Sequence, residues 1–154
     1  MKQLKDEAKK EGSMERWELL LLFLGFDETA DRQFDPVRVM KAMFLLEMRG
    51  GLQNDSFRFE PYDYGPFSIF VYRDLELLEA KGLIERIPVP GRNWSLVRVT
   101  DEGRTLVKSL KDEAKEEQLN LVSEVYGEVL GKGFAELLRY IYKRYPEYAG
   151  KSVF

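Results

Sequence analysis

Between Pro66 and Leu106 the apolar positions of the chain change their period and change it back. Phe67, Val71, Leu75 and Leu78 recur at helical spacing, which predicts a helix over 68–81. Ser68 is placed to cap it, because a serine hydroxyl accepts an orphan N–H of the first turn, and Gly82 supplies the stop. Leu83 to Ile87 and Trp94 to Val99 are rich in strand formers and flank PVPGRN, so a hairpin is expected there. Thr100 then caps another helix, with Asp101 and Glu102 where the helix dipole favours negative charge.

Upstream, Glu15 to Gly25 reads as a short apolar helix with Trp17, Leu20, Leu21 and Leu24 on one side. Residues 26–35 are acidic and lack periodicity, hence a loop. Asp35 and Pro36 suit the N-cap and first position of a helix that buries Val39, Met40, Met43, Phe44 and Leu46 and ends at Gly50-Gly51. Phe57 and Phe59 alternate with Arg58 and Glu60 as a brief strand, and PYDYGP follows as a turn in which Gly65 frees the backbone and Pro66 fixes it. Downstream, Leu106, Val107, Leu110 and Ala114 form a stripe, while KDEAKEEQ (111–118) is polar nearly all round, as in a solvated or partner-bound helix. Leu119 to Leu130 is amphipathic but interrupted by Gly127, and Phe134, Leu137, Leu138 and Ile141 mark a last helix that Pro146 ends.

Two family resemblances meet in these segments. VYRDLELLEAKGLIER (71–86), the hairpin and VTDEGRTL (99–106) resemble the recognition helix, wing and following helix of PadR- and MarR-type regulators. VMKAMFLLEM (39–48), FEPYDYGPFS (59–68) and RDLELLEAKGLI (73–84) resemble the Panacea, or SocA-like, phage-associated proteins from about Leu19 to Leu106. Both resemblances imply a winged helix. The first implies binding to operator DNA, and the second implies toxin neutralisation or adaptor binding. The expected fold is therefore α+β and mostly α: a winged helix-turn-helix domain over 13–110 with a two-stranded wing, then a helical extension over 111–154. Residues 1–12 form a polar leader, which reads equally as a vector-derived segment before Met14 or as a frayed native helix.

Composition narrows the chemistry. The chain has 154 residues, enough for one hydrophobic core, with 13% aromatics and no Cys or His. Without His, the commonest general base, metal ligand and neutral-pH switch are all missing. Triad hydrolases and Cys/His zinc sites are excluded. GEVLGKG (127–133) misses a phosphate-binding loop, having three residues between its first glycines and Gly133 where a hydroxyl should follow the lysine. Glu60 and Asp63 on a turn are more simply solvated than an acid/base pair. The expectation is a non-enzymatic protein without cofactor or metal. No stretch resembles a membrane span, so a cytoplasmic location is expected.

A binding role remains, and the net charge of −3 lowers the case for DNA without removing it, since only the docking face need be positive. For double-stranded DNA, the first reading, the candidates are Ser68, Tyr72 and Arg73 on the helix and Arg92 and Asn93 at the wing tip. Asp74 and Glu76 would oppose a phosphate backbone, whereas Arg86, Arg98, Arg104 and Lys108 make this half locally basic. Those cations serve DNA contact and plain solvation equally well. For a protein partner such as a toxin, the close rival, the candidates are Tyr62, Tyr64 and Tyr72, for which packing and partner contact are equally open. A homodimer is expected, with Leu119, Val122, Tyr126 and Val129 as part of its interface.

Overall fold

The computed structural model describes residues 14–53 and 55–152; the polar leader lies outside them. The chain is α+β and mostly helical. In order it forms α1 (Arg16–Leu24), α2 (Pro36–Met48), β1 (Glu60–Tyr62), β2 (Gly65–Phe67), α3 (Ile69–Ala80), β3 (Ile84–Pro88), β4 (Ser95–Val99), α4 (Asp101–Glu113), α5 (Glu116–Gly131) and α6 (Phe134–Arg144), then a 3-10 turn, Pro146–Tyr148. β1–β2 and β3–β4 are separate antiparallel hairpins, the second pairing Ile84 with Val99 and Pro88 with Ser95.

Helix α1 is buried on every side from Leu19 to Leu24, not along one stripe. A helix apolar all round belongs in the middle of a domain, and here α3, α4 and α5 pack around it. α2 follows the expected boundaries: Asp35 accepts the Arg38 N–H at 2.8 Å, and Pro36 opens the first turn without losing a bonded N–H. The core is one continuous cluster running from α1 and α2 through α3 and the β3–β4 hairpin to Val122, Val125, Val129, Leu137 and Ile141.

Three sequence expectations need correction. Residues 57–59 are not a strand: Arg58 adopts φ 54°, and this left-handed residue breaks the extended run. Both neighbouring phenylalanines then turn inward, with their rings 5.5 Å apart and Phe59 5.3 Å from Phe44. The loop 26–35 hides a core residue, Phe34, which exchanges both backbone hydrogen bonds with Val97 (2.9 and 2.8 Å) and so adds a one-residue bridge to the β3–β4 hairpin. The polar stretch 111–118 is not one helix, because Ala114 is extended (ψ 150°) and separates α4 from α5.

The expected dimer face is also turned inward. Val122 and Val129 are fully buried within the single chain. Tyr126 packs against Phe23, Phe26 and Phe34 at 5.4–6.3 Å, and Leu119 rests on the same core. Helix α5 lies along α2, and Arg38 donates to the carbonyls of Val129 and Lys132 at its C-terminal end. Continuing helix formation through Gly127 kept this apolar face on one line, and the domain itself consumed it.

Candidate binding site

Helix α3 is set in place from beneath. Arg16 of α1 holds Asp74 through two bonds, Nε to Oδ2 at 2.6 Å and Nη2 to Oδ1 at 3.0 Å, and reaches the Ser56 carbonyl at 3.1 Å. Its guanidinium also lies over the Phe57 and Phe70 rings. Asp74, expected to repel a phosphate backbone, is therefore a buried anchor. Ser68 is corrected in the same way. It caps α3 by accepting the Phe70 N–H at 3.1 Å, and its hydroxyl donates to the Phe57 carbonyl. At 2% exposure it cannot reach a phosphate.

The outward face of α3 carries Arg73, Glu76, Glu79, Ile69 and Leu77. Arg73 is exposed and lies over the Phe70 ring at 5.3 Å. The cations of the wing half are largely neutralised by the chain's own carboxylates. Arg86 meets Glu79 at 3.3 Å, and Arg98 meets Glu85 at 2.7 Å and Asp31 at 3.7 Å. Arg104 meets Asp31 at 2.9 Å. Arg92 and Asn93 stand exposed at the wing tip beyond Gly91, whose φ of 76° makes the turn. Arg73 and Arg92 are thus exposed cations on separate elements, α3 and the tip of the β3–β4 hairpin.

The YDYGPF segment is a hairpin with Asp63 and Tyr64 at its tip. Gly65 carries two constraints. Its φ of 103° is one that side chains rarely adopt, and a Cβ there would meet Leu138 at 2.9 Å and the Cε of Lys41 at 3.9 Å. Tyr62 and Tyr64 point outward, each about half exposed. Tyr62 stacks on Phe67 with centroids 5.0 Å apart, and Tyr64 stands 6.2 Å from Phe134. Tyr72 is half-buried, and burial pushes its phenol above the usual range.

Between the start of α2, the wing and α6 lies a cavity of about 900 Å³. Val37, Trp94, Leu96, Phe134 and Leu137 form much of its wall, and Val37, Trp94 and Phe134 are among the exposed large apolar side chains of the molecule. Tyr72 and Asn93, expected to contact DNA, also line this cavity. Lys41 enters it from α2. Its side chain is 2% exposed and its ammonium sits 4.7 Å from the Phe134 ring centre. Burial lowers its pKa from 10.5 to about 8.

Sequence reasoning passed over Lys41, Trp94 and Phe134. A signal existed for the lysine, the single cation inside the run VMKAMFLLE, every other member of which through Leu46 is apolar. The cavity itself left no local trace, because its walls come from segments nearly a hundred residues apart.

Among the described residues there is no cluster of acidic side chains able to hold a metal, and no helix is long and apolar enough to cross a membrane. The chain matches no protein-family model and no curated protein, so what the site does follows from its own geometry.

Proposed function

We propose that this chain is a non-catalytic binding module that uses a winged-helix-like frame to hold a protein partner, in the manner of an antitoxin or adaptor. The observation that carries this reading is the fate of the wing cations. Arg86, Arg98 and Arg104 are each satisfied by carboxylates of the same chain. DNA binding draws its affinity from cations that neutralise phosphates and release counterions, and here such cations are few and scattered. The surface between the hairpin tip and α3 is of another kind: Tyr62, Tyr64, Ile69 and Leu77 are exposed, with Arg73 among them. Tyrosine and arginine around apolar side chains are the composition favoured where proteins meet. The resemblance of YDYGPF and its neighbours to the Panacea proteins points the same way.

Arg73, Arg92 and Asn93 keep operator DNA as the second reading, since all three are exposed on the helix and wing tip. Two measurements separate the readings. Co-expression with growth-inhibiting proteins encoded beside this gene should restore growth, and Tyr62→Ala with Tyr64→Ala should abolish the rescue and co-purification. Fluorescence anisotropy on genomic fragments should show no salt-sensitive binding. Tight binding that falls steeply with salt and is weakened by Arg73→Ala and Arg92→Ala would overturn the partner reading in favour of DNA.

A homodimer has lost the surface first nominated for it, because Val122 and Val129 serve the core of one chain. The partner reading requires no second copy.

A further inference from the structure

Lys41 is an anomaly in this fold. Lysine is almost never fully buried without a partner, and an unpaired ammonium removed from water is costly. Here the side chain is 2% exposed, and its ammonium makes no hydrogen bond or ion pair with any described residue. Among the described residues it lies over the face of Phe134, and Asp35 attracts it from farther off. Nearby groups that could have neutralised it are committed elsewhere. Asp35 accepts the Arg38 N–H and lies 3.7 Å from the Arg38 guanidinium. The other charged groups lining the cavity, Arg38 and Arg86, are both cations. Arg38 and Arg86 are already paired with Asp35 and Glu79, so the Lys41 ammonium is the unpaired charge among the described residues that line this largely apolar cavity.

The PYDYGP hairpin passes beside the stem of Lys41, where a Cβ at Gly65 would stand 3.9 Å from Cε, an ordinary contact distance. Tyr72, Asn93 and Ser95 also line the cavity, and no side-chain hydrogen bond ties any of them to another described residue. They are free to orient a polar head.

We infer that this cavity is a ligand site for an amphipathic monocarboxylate: the carboxylate pairs with the Lys41 ammonium while an aromatic or aliphatic body fills the space among Val37, Trp94, Leu96 and Phe134. The volume of about 900 Å³ falls within the range of small-molecule sites. A single negative charge matches the single unpaired ammonium. A phosphate dianion would bring a second charge against apolar walls, where desolvation is not repaid. The site does not depend on the partner surface, since Tyr62, Ile69 and Leu77 lie outside its lining. A free acid and the C-terminus of a peptide offer the same chemistry.

Isothermal calorimetry on the full chain tests this with 2-naphthoate against 2-naphthamide, and with a short apolar peptide as free acid against its C-terminal amide. At least one acid should bind about tenfold or more tightly than its amide, a difference of about 1.4 kcal/mol. The preferred acid identifies the source, small molecule or chain terminus. Lys41→Met should erase the preference for the acid while raising the melting temperature, a combination that a purely structural lysine would not give. Trp94→Ala, at an exposed position, should weaken acid and amide alike. The inference fails if neither acid binds at about millimolar concentration, if acids and amides bind equally, or if Lys41→Met keeps the acid preference.

Discussion

Arg16 and Lys41 both bring a cation inward from neighbouring helices, and the fold treats them in opposite ways. Arg16 finds a bidentate carboxylate in Asp74, the Ser56 carbonyl and two aromatic faces. Lys41 finds one aromatic face. The first arrangement has the signs of architecture: each guanidinium nitrogen donates to an acceptor the chain itself provides, and three segments are tied together by the result. The second leaves a charge uncompensated inside a cavity, a local conflict of the sort that natural sequences tolerate at functional positions. The contrast separates the region that holds the domain together from the region available to a ligand.

Breaking the satisfied side should have the largest effect. Arg16→Ala leaves the buried Asp74 without its partner. A fully buried pair that loses one member costs about 3–5 kcal/mol, and with the Arg16 side chain 30% exposed the loss should lie at or below the lower end. Urea denaturation should report a loss of that order, with Asp74→Ala close behind. The double variant should cost less than the sum, since neither charge is then stranded. A loss below about 1 kcal/mol for Arg16→Ala would mean that water already serves the pair.

Gly65→Val comes next, and it strikes where the hairpin meets Lys41. The substitution forces a β-branched residue to φ 103° and drives its Cβ into Leu138. Backbone strain of this kind costs about 1–3 kcal/mol. The variant should unfold at lower urea, with the clash falling on Leu138, while Lys41 Cε at 3.9 Å stays at contact distance from the new Cβ.

Lys41→Met should move stability the other way. Holding the ammonium where its pKa falls from 10.5 to about 8 costs about 3 kcal/mol at neutral pH, so removing the charge should gain about 1–3 kcal/mol after imperfect packing. The sign follows from proton counts. Between about pH 8 and 10.5 the unfolded chain still carries a proton at Lys41 that the folded chain has released, so wild-type stability rises through that window relative to the variant. The advantage of Lys41→Met is full below pH 8 and gone above 10.5. Asp35, Arg38, Tyr72 and Arg86, which face the same cavity, are common to both proteins and largely cancel in the difference. An advantage independent of pH would show that shape, not charge, sets it.

How much of this was legible in the sequence follows the range of the interactions. The Ser68, Asp35 and Thr100 caps and the stop at Gly82 depend on neighbours within a few residues and stand where the pattern put them, and the two hairpin strands lie within a residue of it. Asp74 beside Arg73 looked like surface charge because its partner lies 58 residues away. Phe34 looked like loop because its strand partner is Val97. The α5 stripe was read correctly as apolar but assigned to a second copy, since periodicity reveals that a face is buried and not what buries it. Lys41 was passed over for a related reason: helical spacing says which side faces inward, and only the assembled walls show that the inside contains a cavity.

The smallest effect on stability should come from the tip of the hairpin, and it sharpens the contrast between anchored and available groups. Tyr64 is 53% exposed and touches the fold chiefly through Phe134, at a centroid distance of 6.2 Å. An exposed aromatic pair at that spacing contributes about 0.5–1 kcal/mol at most. Tyr64→Ala should therefore leave the melting curve nearly unchanged, although one residue further on Gly65→Val should damage it. If the tip is a partner surface, the same alanine should abolish co-purification and growth rescue, because interface aromatics in such positions carry a large share of binding energy. Thermal unfolding and the rescue assay on one preparation decide the matter. Unchanged melting with lost rescue assigns the ring to the partner, whereas a clear fall in melting temperature with rescue intact makes it a strut that pins the hairpin to α6.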